Sequence, residues 1–134
     1  SCVLGNAESL QFGDNKFDVV TVGFGVRNVT HLEKAFSEMF RVTKPGGKVV
    51  CLEFTQPASP VFRYIYDFYS FTLLPAIGTL LSKDRTGIYQ YLPDSIRKFP
   101  PAEDLRRLML RVGFSKVFYN TLSGGIVAVH VGTK

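Results

Sequence analysis

A chain of 134 residues that is 46% hydrophobic and 20% charged has the composition of one globular domain with a real core, small for most α/β enzymes. Its two cysteines, Cys2 and Cys51, have no partners at metal-ligand spacing and no signal-peptide pattern beside them, which speaks against a disulfide scaffold or metal centre and for a reducing, cytoplasmic compartment. Of the net charge of +5, none comes from residues 1–59, where six Lys/Arg balance six Asp/Glu, and all of it from residues 60–134, where ten stand against five.

The chain opens at Ser1, on residues 1–5 that read as the end of a strand, as a piece of a longer domain would. Asn6, Ala7 and Glu8 follow, and Phe12-Gly13-Asp14-Asn15 is a turn. The apolar, β-branched run at residues 17–23 has the character of a strand buried on both faces of a parallel sheet, and Gly23-Phe24-Gly25 breaks it sharply. Thr30 and Glu33 have the spacing of a capping box, and Leu32, Ala35, Phe36, Met39 and Phe40 recur at helical intervals until Lys44-Pro45-Gly46-Gly47 stops the helix. Residues 48–54, KVVCLEF, make a second apolar strand, with Glu53 near its carboxyl end standing out as a charge in a run that is otherwise expected to be buried, so the order is that of a βαβ unit.

After a break at residues 56–60, the aromatic stretch 61–81 is interrupted by Arg63, Asp67 and Pro75, which argues against a membrane-spanning helix. A short helix is expected within residues 84–98. Pro100-Pro101 opens another, with Glu103 and Asp104 in its first turn, Leu105, Leu108, Met109 and Val112 on its inner face and Gly113 at its end. Two strands, 116–122 and 126–132, close the chain around Ser123-Gly124-Gly125.

Ligands of open α/β sheets bind beyond the carboxyl ends of strands, which directs attention to residues 23–28. Gly23-x-Gly25-x-x-Asn28 lacks the third glycine and the acidic partner of a dinucleotide fingerprint, so the glycines read as a turn. Arg27 is permanently charged there, available to stabilise an anion or to form a salt bridge. Asn6 offers a donor and an acceptor that match an adenine edge, or that cap its own backbone. His31 and His130 have no nucleophile pattern near them. The positive second half reads either as solvated helix faces or as attraction to an anionic membrane or acidic partner; no zinc pattern, long basic run or reader motif points to nucleic acid.

The segments GNAESLQF, DNKFDVVTVGFGVRNV, EMFRVTKPGGKVVCLEFTQP, YDFYSFTLLPAIGTL and GFSKVFYNTLSGGIVAVHVG, in this order, resemble the carboxyl-terminal half of the ubiquinone/menaquinone C-methyltransferase family, over essentially the whole chain. The resemblance implies an α/β fold: the carboxyl-terminal portion of a seven-stranded, Rossmann-like class I methyltransferase sheet, mainly parallel with an antiparallel last strand and a helical insert at about 60–98. Residues 1–134 would then be a single partial domain. It implies methyl transfer from S-adenosylmethionine to a ring carbon of a polyprenylated quinol, with LEFTQP and SGGIVAVH leaning toward menaquinone.

Carried over by position, the resemblance makes Asn6, Ala7 and Gly23 cofactor-binding, Arg27 the group that activates the quinol, Asn28 its brace, and Tyr66, Tyr69 and Phe71 the walls around ring and prenyl chain. It requires no metal, and it is compatible with a peripheral membrane contact and a homodimer. The family's glycine-rich loop and ribose-holding acid are absent from these 134 residues, so the chain alone is expected to bind S-adenosylmethionine weakly or not at all. A truncated, non-catalytic relative that binds a prenylquinone or a partner protein is the alternative, and a methyltransferase acting on a soluble small molecule a third reading.

Overall fold

The computed structural model describes residues 2–57, 59–69 and 88–134. At its centre lies the expected βαβ unit: strand β1 (Phe17–Gly23), helix α1 (Leu32–Val42) and strand β2 (Thr43–Phe54), with the two strands parallel. The apolar stripe of α1 does what its spacing predicts, burying Ala35, Phe36, Met39 and Val42. The Lys44–Gly47 segment, however, lies inside β2 rather than ahead of it. Thr43 already pairs with Phe17, and the register then shifts before Val19 meets Lys48. The turn is therefore a bulge, held by Gly46 at φ +77° and by Gly47, where a Cβ would lie 2.8 Å from the Asp18 carbonyl oxygen.

Helices α2 (Pro60–Phe68), α3 (Ile88–Lys98) and α4 (Ala102–Val112) follow, and strands β3 (Lys116–Leu122) and β4 (Val127–Thr133) form a closing hairpin. Among the described residues the sheet has four strands in the order β1-β2-β4-β3. Strand β4 lies between β2 and β3 and runs antiparallel to both, the expected reversal of the last strand.

Helices α1 and α4 cover one face of the sheet. Phe36, Leu105, Met109, Val49, Cys51 and Phe114 meet there in one buried cluster. Burial pushes the Cys51 thiol up to about 12, which removes it as a nucleophile. His130, also buried, donates from Nε2 to the Ala102 carbonyl at 2.8 Å and stacks on Tyr119, so it ties β4 to the start of α4. Desolvation lowers its pKa and keeps the ring neutral.

Two expectations are corrected here. Strand β1 is not buried on both faces: Val20 and Val22 pack on the core, but Val19 points to the sheet face that α1 and α4 do not cover and is 53% exposed. Residues 2–5 carry no strand, and Asn6 makes only an isolated bridge to Ser9. Hydrophobic character alone does not make a strand where no ladder partner is present.

Candidate functional site

The carboxyl ends of β1 and β2 lie side by side, Gly23 opposite Leu52. From β1 the chain passes into a single 3-10 turn, Val26–Asn28, which buries Val26 and turns Arg27 toward the end of β2. There the unexplained charge of β2 finds its partner. Arg27 Nη1 donates to Glu53 Oε1 at 2.8 Å, while Glu53 Oε2 accepts the Arg27 backbone N–H at 3.3 Å. The carboxylate also accepts the Phe54 N–H at 2.9 Å.

The guanidinium is fixed from every other side. Nη1 also donates to the Phe24 carbonyl at 2.6 Å, Nε donates to Ser95 Oγ on α3 at 3.2 Å, and Cζ lies 5.4 Å from the Phe54 ring centroid. The two side chains are 9% and 1% exposed, so this is a buried ion pair and not the surface salt bridge that the sequence left open. Among the described residues, Nη2 is the guanidinium nitrogen left without a hydrogen-bond partner.

Among the described residues Asn28 makes no hydrogen bond to the Arg27 side chain. It is exposed and accepts a hydrogen bond at 2.6 Å from the Tyr91 hydroxyl on α3. The bracing comes from Glu53, through the parallel register of β1 and β2, and α3 adds an anchor on each of Arg27 and Asn28.

Asn6, Ala7 and Asn28 do come together. With Gly5, Glu8 and residues 29–31 they line a cleft of about 420 Å³ between the loop before β1 and the loop after it. Asn6 Oδ1 accepts the Glu8 N–H at 2.9 Å, so half of its amide is used on its own backbone. Glu8 ties the two loops together: its carboxylate accepts the N–H groups of Thr30 at 2.7 Å and His31 at 2.9 Å, and meets His31 Nδ1 at 2.9 Å. The Thr30–Glu33 capping box is consequently not formed. His31 takes the N-cap position with no side-chain cap, because a carboxylate from another loop already satisfies the orphan N–H groups.

Gly23 is not in the wall of this cleft, but a Cβ built there meets nothing within 4 Å, so the strand end is open. The residues that resemble the adenine-contacting pair thus border an accessible cleft, and they fit one side of a nucleoside cofactor. Tyr66 is half-buried on α2, and Tyr69, just past it, is 47% exposed; neither lines the cleft. Phe71 lies outside the described residues. A second cleft, of about 500 Å³, opens between α4 and the β3–β4 hairpin with Arg63, Tyr119 and Thr121 in its walls, and it contains none of the expected residues. Among the described residues no group of three or more His, Cys, Asp or Glu is placed to hold a metal, and no helix is long and apolar enough to cross a membrane.

A sheet of this order, with a reversed last strand and clefts at the carboxyl ends of its strands, is found in S-adenosylmethionine-dependent methyltransferases. The structure superposes on that of Thermotoga maritima with a TM-score of 0.65, at 21% identity, over 97% of this chain and 62% of that one. On the enzyme of Aquifex aeolicus the TM-score is 0.57, at 12% identity, over 99% of this chain and 54% of the other. The fold is therefore that of the class I methyltransferases.

The chain belongs to the ubiE/COQ5 methyltransferase family, whose model matches residues 1–134. It is 52% identical over 134 residues to the mitochondrial 2-methoxy-6-polyprenyl-1,4-benzoquinol methylase of Xenopus laevis. To the proteins of the same name from Homo sapiens and Oryza sativa it is 48% identical, over 132 and 134 residues. It spans 43%, 40% and 45% of the lengths of these three relatives.

Proposed function

We propose that this sequence, at the full length of its relatives, methylates a ring carbon of a polyprenylated benzoquinol, with S-adenosylmethionine as methyl donor. The observation that carries the reading is the unbroken family match over all 134 residues, with benzoquinol methylases at about half identity. Those relatives favour a benzoquinol over the naphthoquinol toward which the sequence leaned. Their mitochondrial names favour that organelle over a general cytoplasmic location.

The residues divide the work by position. Asn6 Nδ2 and the Ala7 backbone would hold the adenine edge in the cleft, and the open strand end at Gly23 leaves room beside it. When bound, S-adenosylmethionine supplies a methyl group activated by its sulfonium. What is left to this chain is to orient the quinol and stabilise its anion: the hydroxyl gives its proton to water, the neighbouring ring carbon becomes nucleophilic, and after methylation that carbon sheds its ring proton. Nη2 of Arg27, without a partner among the described residues and on a guanidinium held at its other nitrogens, supports assigning the oxyanion to it, and such a donor contributes about 100-fold in rate. Tyr66, Tyr69 and Phe71 would wall the ring and prenyl chain. Exposed Val61, Tyr64 and Phe68 on α2, in the half that carries the excess positive charge, support contact with an anionic lipid surface.

The test is incubation of the full-length protein with methyl-labelled S-adenosylmethionine and a short-chain polyprenyl benzoquinol, followed by mass spectrometry and NMR of the product. A new ring-carbon methyl is expected. An O-methyl product, or turnover only with soluble phenols, would overturn the assignment.

A further inference from the structure

We propose that Glu53 is the positioning residue for Arg27, and that its carboxylate makes the guanidinium a directional donor rather than a diffuse positive charge. The inference rests on the role given to Arg27 above and adds a residue to which no role was assigned from the sequence.

Three observations carry it. First, Glu53 is 1% exposed at the end of the apolar run Val49–Leu52, a position where an unpaired carboxylate is not tolerated. Second, it grips Arg27 at two points, Oε1 on Nη1 and Oε2 on the backbone N–H, so both the head and the root of the side chain are set by one group. Third, the remaining contacts of the guanidinium, to the Phe24 carbonyl, Ser95 Oγ and the Phe54 ring, complete a cage that, among the described residues, leaves Nη2. A flexible arginine would neutralise a nearby anion in many geometries, whereas this one can donate from a single nitrogen.

The arrangement also has an electrostatic consequence. A compensated arginine attracts an anion less strongly from afar than a bare one does, so its value to a reaction lies in the hydrogen bond formed as charge develops on the quinol oxygen. Loss of Glu53 should therefore reduce turnover more than it reduces binding of the neutral quinol. Arg27→Ala is a poor probe, because it leaves the buried carboxylate with neither a counter-charge nor a side-chain donor, whereas Gln keeps a donor and pairs with the neutral Glu53→Gln in the double variant.

The experiment uses the full-length protein and four variants: Glu53→Gln, Glu53→Asp, Arg27→Gln and the double Arg27→Gln/Glu53→Gln, with kcat and KM for a short-chain benzoquinol and Kd for S-adenosylmethionine. Glu53→Gln is expected to lower kcat by about 10- to 100-fold, the range for a misplaced catalytic group, with KM and cofactor Kd within about twofold. Glu53→Asp should recover part of the loss, and the double variant should be no slower than Arg27→Gln.

Wild-type kcat in Glu53→Gln beside a slow Arg27→Gln would overturn the positioning role alone, and so would a double variant as slow as the product of the singles. Wild-type kcat in Arg27→Gln would remove the role of Arg27 and this inference with it, while a parent with no methyl transfer to any benzoquinol would refute the proposed reaction itself. Where Glu53→Gln lowers the unfolding midpoint strongly, Ser95→Ala releases the Nε anchor without touching the buried charge. It should also lower kcat without moving cofactor Kd, and unchanged kcat there would count against a caged guanidinium.

Discussion

The Glu8 carboxylate sits in the loop before β1, yet it accepts the backbone N–H groups of Thr30 and His31 and meets the His31 ring, so it closes the N-terminus of α1 from outside. The His31 backbone bond is the largest cause of its pKa falling below the ordinary 4.5, followed by the bond to the His31 ring. A carboxylate whose folded pKa is depressed adds stability that is fully present above the unfolded value and lost as pH falls through the folded one. Glu8→Gln is therefore expected to lower Tm at neutral pH, and the gap from the parent should narrow as the pH is taken below 4.5. Thermal melts of both proteins across that range check it. A Tm difference that does not depend on pH would mean that Glu8 acts through shape and not through charge. The same residue shows what a sequence conceals: Thr30 and Glu33 present a good local capping box, and a carboxylate 22 residues away from Thr30 displaces it.

The elements themselves were legible because their signals are local. The helical spacing of Phe36 and Met39 in α1, the proline start and glycine stop of α4, and the Ser123–Gly125 hairpin all stand where the pattern put them. What was not legible depends on register. Both Arg27 and Glu53 stood out, but their pairing follows only once Gly23 is known to lie opposite Leu52. The β2 bulge is of the same kind, since a Pro-Gly-Gly sequence reads as a terminator until Thr43 is seen to pair before it and Lys48 after it. Its two glycines are expected to respond differently to a methyl group. At Gly46 there is open space but φ is +77°, so Ala should cost about 1 kcal/mol. At Gly47 the new Cβ would lie 2.7 Å from Thr43 Cγ2, 2.8 Å from the Asp18 carbonyl oxygen and 2.9 Å from that of Lys44, two of them backbone atoms that cannot turn aside. Gly47→Ala should therefore cost about 1–3 kcal/mol, as overpacking does, with the larger shift in urea midpoint. Equal midpoints would mean that the bulge relaxes freely.

For the whole molecule, the two faces of the sheet differ. Helices α1 and α4 bury the side that carries Val49, Cys51 and Ala128, while Val50, Leu52, Val129 and Val131 on the other side are only half-buried and Val19 and Phe118 are exposed among the described residues. Sheets with parallel strands are ordinarily covered on both faces. The candidate cofactor cleft is similarly one-sided: Asn6, Ala7 and the 28–31 loop give it one wall, its acidic residue, Glu8, is occupied by Thr30 and His31, and no glycine-rich phosphate-type loop occurs in these 134 residues. One wall with a free amide edge offers a nucleoside a few hydrogen bonds in competition with water, each contributing a net of about 1 kcal/mol, against several kcal/mol of lost freedom on association. The 134-residue chain is therefore expected to show no micromolar binding of S-adenosylmethionine by isothermal titration, and a protein of the relatives' full length carrying the same sequence is expected to bind it. Micromolar binding by the short chain would show that the wall from Asn6 to His31 suffices by itself. Absence of binding by both would count against S-adenosylmethionine as the ligand of this cleft.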